Sequence, residues 1–391
     1  MAATESYAER STGRRRTFLS EVDWMMAAVV SLCCLGMAMA VSIQGVTDGG
    51  PLLAMKSQAG KLLVGLFAFL IAALVPLDKL RRIALPAFVA FLVLCFWVAI
   101  FERDTKGASR WLRIGSFSLQ PVEPARFLLL IVAARLLADA GAAVHHFRTG
   151  FLPVMCAAAA LAAPLLLQPD VGNAVFSVTL VAVLALVAGV RFRWFALLAV
   201  PGVVLIVVSM LHHDHVSTRL AAFFSGKHPD QVAHSITAIG SGGWLGTGLG
   251  NGWMKMGFVP EPKNDFVFAM LGEELGLLGS FVVLALYTTF GWAGMKLALR
   301  VEDPFRRLVV VGFTLAICLQ ALINLFVVTG LGPAKGIDLP FVSSGGTGLA
   351  MAMAGVGIIG NAARSDRSGG ATRYELASRH RAPSSRNSRD L

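Results

Sequence analysis

Charge is what this chain has least of. Only 15% of its 391 residues are Asp, Glu, Lys or Arg, against about 25% in a soluble protein, which excludes an ordinary water-soluble fold of this length. Acids are scarcer than bases, 23 against 34. The bases are nevertheless scattered over tails and short loops rather than gathered in a stripe, so a nucleic-acid partner is not indicated. The five cysteines, Cys33, Cys34, Cys95, Cys156 and Cys318, all fall in apolar runs without paired spacing. That excludes a disulfide framework and a cysteine metal site, and leaves them as small hydrophobes. No ATP-binding fingerprint occurs, so energy for any reaction must come from the substrate or a gradient. A cleavable leader is not expected either, because the first apolar run, from about Trp24, is too long.

What the chain has in abundance is apolar sequence, 56% of its residues. A bilayer core needs roughly 20 apolar residues per helix, and ten such runs can be marked: 24–43, 58–77, 83–101, 119–138, 151–168, 171–190, 194–211, 266–290, 308–329 and 342–361. Pro169 and Asp170 argue that the fifth and sixth are separate helices. The basic clusters at Lys79–Arg82, His145–Arg148, Arg191–Arg193 and Lys296–Arg307 all fall on one side if the N-terminus is cytoplasmic, as the positive-inside rule requires. The expected architecture is an all-α polytopic membrane protein with both termini cytoplasmic: a ten-helix domain, 21–361, flanked by disordered tails at 1–20 and 362–391. Its largest outer loop, about 212–265, joins the seventh and eighth helices. Loops that long in a compact protein are usually functional or disordered. This one carries SGGWLGTGLGNGWMKMG, 241–257, whose glycines allow tight turns and whose Trp244 and Trp253 suit a membrane interface. Its glycine spacing fits neither a dinucleotide nor a P-loop fingerprint.

The stretch PEPKNDFVFAMLGEELG, 260–276, organises the rest. Asp265 stands where a polar loop becomes an apolar run, and Glu273 and Glu274 follow two helical turns later, about 12 Å deeper on a straight helix. Acids within a membrane segment are costly and mark functional sites by default, although Asp265 alone could equally be an N-cap. Three other polar patches reach the same side: Gly107–Arg126, Gln168–Asp170 and Lys335–Gly346. Helix starts and the bases Arg110, Arg113, Arg126 and Lys335 suit a phosphate or pyrophosphate there. Each residue also has a plainer role. Trp111 can be an interfacial anchor, Glu123 and Arg126 a neutralising i,i+3 pair, Asp170 a cap, and Ser343–Gly346 a close-packing stretch. Four such clusters on one side favour a site for an anionic amphiphile.

The motifs GASRWLRIGSFSLQPVEPARF, QPDVGNAV, GSGGWLGTGLGNG, PEPKNDFVFAMLGEELG and KGIDLPFVSSGG resemble those of the SEDS proteins, the shape, elongation, division and sporulation family. The likeness runs from the first span to the tenth, and Pro260–Phe266 with Lys335 and Gly336 is more similar to the division-type branch than to the elongation-type. The resemblance implies a peptidoglycan glycosyltransferase that polymerises lipid II, in septal wall synthesis, at the outer face of the cytoplasmic membrane. It also implies a class B penicillin-binding protein transpeptidase (FtsI-like) as partner, together with other division proteins. By position, Asp265 matches the family's proposed catalytic aspartate, while Trp111, Glu123 and Asp170 match residues of its outer cavity and Arg110 and Arg126 its basic positions. Lys335 and Ser343 complete the expected substrate-binding set. The chain departs from the family at Ser344, commonly Tyr, at Gly345–Gly348, and at Pro124 and Arg126, commonly Phe and Lys.

In the mechanism these residues suggest, Asp265 is the base that activates an acceptor hydroxyl, because partial burial disfavours its ionised form. Arg110 and Arg126 stabilise charge on the leaving pyrophosphate. No metal-ligand cluster is evident, so the expected cofactor is at most a magnesium or manganese ion shared between substrate phosphates and one carboxylate. Two rival classes remain: a lipid II flippase, against which no pair of broken helices or internal repeat is seen, and a non-catalytic division scaffold.

Overall fold

The computed structural model describes residues 2–47, 49–101, 111–114, 117–197, 202, 229–258, 262–333 and 335–381. It is almost entirely helical: α1 (Ala2–Thr47), α2 (Pro51–Leu74), α3 (Leu77–Phe101), α4 (Val122–Ala140), α5 (Leu152–Leu167), α6 (Val171–Val187), α7 (Asp230–Ser241), α8 (Val267–Ala298), α9 (Pro304–Val328) and α10 (Gly346–Arg381). Between α3 and α4 a short hairpin pairs β1 (Leu112–Ile114) with β2 (Phe117–Leu119), Leu112 opposite Leu119. Eight helical stretches among the described residues are long and apolar enough to span a membrane, and α6 is apolar but shorter. These nine coincide with nine of the ten runs expected from the sequence, and α5 and α6 are indeed separate. The seventh run, 194–211, falls almost wholly outside the described residues. Helical backbone also continues from Ala2 and through Arg381, where the sequence suggests disordered tails.

Local chemistry sets the boundaries. Gly49 and Gly50 turn the chain between α1 and α2, and Pro51 opens α2 where no N–H is needed. Asp170 caps α6 by accepting from the Asn173 N–H at 3.3 Å, and Asp303 caps α9 by accepting from Arg306 at 2.9 Å. The interior of the bundle is α4, α8, α9 and α10, whose buried faces carry most of the core. α2 and α3 lie at its edge and expose Leu63, Phe67, Leu74, Val93 and Phe101, side chains that suit contact with lipid tails. α10 packs close on α2 because Gly357 has no side chain: a Cβ there would lie 2.4 Å from the Phe69 carbonyl oxygen.

One element defies the straight-helix expectation. α8 is broken at Gly276, whose φ of 68° and ψ of −166° are left-handed-side values that favour glycine. A break within an apolar helix frees backbone groups that must find partners. The glycine-rich loop supplies them: Leu277 and Leu278 donate to the carbonyls of Gly243 and Trp244, while Thr247 and Gly248 donate to those of Glu273 and Glu274, all between 2.9 and 3.2 Å. The nine residues before the break form a half-helix of their own, Val267–Leu275. At its head the Asp265 carbonyl accepts from Asn324 of α9, and at its tail Glu274 accepts from Ser42 of α1. Thr314 packs at Gly294 and Cys318 at the Tyr287 carbonyl. Asn324, further along α9, therefore stands level with α8 one to two turns past the break. The half-helix thus crosses the bundle from α9 to α1, and Glu273 and Glu274 do not lie deeper than Asp265 as a straight helix would put them.

Candidate active site

Asp265 sits at the end of a turn, 262–266, that is sewn to the segment before α10. Ser343 Oγ donates to the Asn264 carbonyl at 2.6 Å, and the Ser344 N–H donates to the Lys263 carbonyl at 3.0 Å. Asn324 Nδ2 bridges the carbonyls of Asp265 and Ile337 at 2.8 and 2.6 Å. The Asp265 carboxylate lies against Gly336, where a Cβ would stand 2.6 Å from Oδ2. The N-cap position of α8 falls on Phe266 rather than on Asp265.

Lys335, the residue before Gly336, reaches across to the start of α6. Its Nζ donates to the Gly172 carbonyl and lies 5.9 Å from the Phe176 ring centre. A Cβ on Gly172 would fall within 2.0 Å of the Lys335 stem, so the close approach depends on that glycine. Burial pushes the Lys335 ammonium down to about 7; Asp170 opposes the shift and Arg126 adds to it. Below it, Arg126 is buried and held on every side. It donates to Glu123 at 3.2 Å, to Asn173 Oδ1 at 2.6 Å and to Ser177 at 3.4 Å, and its guanidinium stacks 4.6 Å over Phe176. Asn173 Nδ2 in turn donates to Asp170 Oδ2 at 2.8 Å.

The structure therefore brings Asp265, Lys335, Asp170, Glu123 and Arg126 to one end of the bundle. Two plainer roles are also realised there: Asp170 caps α6, and Glu123 pairs with Arg126. Arg126 works as a floor, since its guanidinium is already occupied; Lys335 lies over Phe176, one residue before the glycine that the Asp265 carboxylate meets. Ser343 is a tie in the wall, its hydroxyl donating to Asn264 and accepting from the Leu339 N–H. Trp111 is half-buried just before β1, on the connection that leads into α4 at this same end. Arg110 lies outside the described residues, as does the side chain of Arg113.

Sequence reasoning passed over Gln320 and Asn324, which stand i,i+4 on α9 and bond the carbonyls of Asp338, Asp265 and Ile337. Two amides at that spacing in an apolar run were the available signal. Glu273 and Glu274, the two acids that follow Asp265, are occupied from within. Glu273 accepts from the N–H groups of Trp253 and Met254 at 2.7 and 3.3 Å, and Glu274 is paired with Lys255 at 2.7 Å. No group of three His, Cys, Asp or Glu side chains converges among the described residues. A divalent cation would need Asp265 together with oxygens from a bound phosphate.

Residues 23–368 match the model of the cell cycle protein family that groups FtsW, RodA and SpoVE. The chain belongs to this family, the SEDS proteins. It is 34% identical over 350 residues to a probable peptidoglycan glycosyltransferase FtsW of Geobacter metallireducens, covering 86% of this chain and 93% of that one. It is 32% identical over 287 residues to stage V sporulation protein E of Bacillus subtilis, covering 71% and 78%. Among solved structures, one from a study of how a peptidoglycan synthase complex coordinates polymerization and crosslinking superposes with a TM-score of 0.74. It is 25% identical and covers 88% of this chain and 97% of that chain. The rod shape determining protein RodA of Thermus thermophilus superposes at 0.63, also 25% identical, covering 88% and 96%. A polytopic helical membrane bundle is the architecture these SEDS matches share with this chain.

Proposed function

We infer that this chain is a peptidoglycan glycosyltransferase that joins lipid II into β-1,4-linked glycan strands, and that it serves septal wall synthesis. The observation that carries the reading is the Asp265 carboxylate set against Gly336, next in the chain to Lys335, at the end of the bundle where α4, α6, α8 and α10 begin. In this mechanism Asp265 takes the proton from the acceptor sugar's 4-hydroxyl. The freed oxygen attacks the donor's anomeric carbon from the face opposite the pyrophosphate. The anomeric C–O bond breaks with its electrons on the polyprenyl pyrophosphate, and the α-linkage inverts to β. Lys335 balances the charge that gathers there, and Arg126 with Asp170 fixes the wall behind it. A magnesium or manganese ion, shared between Asp265 and the phosphates, would supply further Lewis-acid stabilisation.

The relatives named FtsW support the division role over elongation or sporulation. The basic tails and short basic loops support cytoplasmic termini, which turns the Asp265 end outward. The likeness to a chain solved in a peptidoglycan synthase complex supports a class B transpeptidase as partner, alongside other division proteins. Purified Asp265→Asn given lipid II tests the core of this: strands made at the unmodified rate would remove Asp265 as the base.

A flippase is the second reading, because a discontinuous helix is a transporter device and α8 is broken at Gly276. The freed backbone groups at that break are, however, bonded to the glycine-rich loop instead of lining a path. Polymer formed in detergent, with no second compartment, separates the two.

A further inference from the structure

We propose that Ser42, Lys255 and Glu274 form a clasp that positions Asp265 for catalysis, acting through the half-helix Val267–Leu275. The inference rests on Asp265 being the base. Lys255 and Glu274 are as buried as charges can be, with side chains 1% and 0% exposed, and their ion pair measures 2.7 Å. Burying both is costly unless every remaining donor and acceptor is met, and here the ring is complete. Ser42 Oγ lies 2.6 and 2.7 Å from the two Glu274 oxygens; Lys255 Nζ donates to Ser42 Oγ at 2.8 Å and to the Gly250 carbonyl at 2.7 Å; the Gly250 N–H donates to Glu274 Oε2 at 3.0 Å. So α1, the glycine-rich loop and the half-helix meet at one point.

That point governs Asp265 because of the break. At Gly276 the half-helix loses the continuous i to i+4 ladder that would make it one rigid body with the rest of α8. Its placement is set at its two ends. The head, at Asp265, is tied to Asn324 and, through the turn before it, to the segment ahead of α10. The tail is fixed by the clasp at Glu274, together with the loop's bonds to the Glu273 and Glu274 carbonyls and to the Glu273 carboxylate, and everything between, Phe266 to Glu274, is buried. A nine-residue helix is stiff, so a tilt released at its tail displaces its head, and an ångström of misplacement at a reacting group costs orders of magnitude in rate. The clasp touches neither sugar nor pyrophosphate in this scheme. It is a positioning device.

The test uses the full chain in detergent with lipid II, alongside Asp265→Asn. The double variant Lys255→Met/Glu274→Gln removes both charges together, so neither is left buried alone, and Ser42→Ala keeps both charges while opening the ring. The expected result is a kcat at least tenfold lower in the double variant and several-fold lower in Ser42→Ala. KM should stay within twofold, melting temperature within a few degrees, and Ser42→Thr should restore kcat. An unmodified kcat in either folded variant overturns the proposal, as does a loss carried by KM alone. If the double variant fails to fold, Ser42→Ala and its Thr rescue decide by the same criteria. Full activity in Asp265→Asn would instead sink the reading beneath it, which the clasp variants alone would not do.

Discussion

The two ends of this bundle treat charge in opposite ways. At the end away from Asp265, most ion pairs sit at the surface: Arg81 meets Asp139 with both side chains substantially exposed, 35% and 48%, Arg135 reaches the same carboxylate at 3.6 Å, and Arg306 approaches Asp78 at 3.7 Å, the exception being Glu21, buried against Arg300 at 2.6 Å. At the Asp265 end the charges are inside. Arg126, Asp170, Lys255, Glu273 and Glu274 are all buried, and each is met by several fixed partners. Exposed pairs exchange water for one another at little net gain, whereas buried charges lose hydration and depend on every partner they have. One end is built to be soluble at the membrane surface, and the other to hold a few groups still. The comparison predicts that equivalent substitutions have very unequal effects.

The largest effect is expected at Asp265. Asn fills the same space and cannot take a proton, so polymer formation should fall at least 100-fold, the usual scale for a removed general base, with the melting temperature little changed. Asp139→Asn at the other end should leave the rate within twofold in the same assay. Next in size is Glu274→Gln made singly. It strands the Lys255 ammonium in the core, and breaking a buried pair costs about 3–5 kcal/mol. Thermal unfolding measures that cost, and a loss no larger than that of Asp139→Asn would break the contrast between the ends.

How much of this could be read beforehand follows from the same physics. The spans were legible because a run of apolar residues needs no partner to declare itself: nine of ten proposed runs match helices, and α5 and α6 separate at the turn that Pro169 and Asp170 marked. The gathering of Asp265, Asp170, Glu123, Arg126 and Lys335 was legible from counting ends, since each precedes or opens a helix on the same side. The break at Gly276 was not, because hydrophobic periodicity does not register one backbone angle. Nor was the clasp. Ser42 and Glu274 are 232 residues apart, and a lone serine in an apolar helix carries no sign of its partner. Glu274 looked like a site residue for the right reason, a buried acid in a membrane helix, but that cost is met by a structural lysine in the loop.

A middle-sized effect should come from Gly336→Ala. Its new Cβ would press on Asp265 Oδ2 at 2.6 Å, while the residue itself is exposed. The kcat should fall about tenfold with stability held, since displacement of the reacting group costs rate rather than folding. If melting temperature fell while kcat stood, the carboxylate would be mobile enough to yield and the picture of a rigid end would weaken.

The smallest effect, and the one that reads the electrostatics most directly, concerns pH. Lys335 titrates near 7 when folded, against the usual 10.5. Between those values the unfolded chain binds more protons than the folded one, so this residue makes stability rise as pH increases from about 7 toward 10.5; below 7 the penalty is fully present. Lys335→Met should flatten that rise. A polyanion docked beside the ammonium favours its charged form, so inorganic pyrophosphate binding at pH 8 should take up a proton. Calorimetric titration in buffers of different ionisation enthalpy detects this, and the Met variant should lose it. Equal proton uptake in the Lys335→Met and unmodified proteins would mean that the anion is held elsewhere, and that burial at this end serves packing instead of recognition.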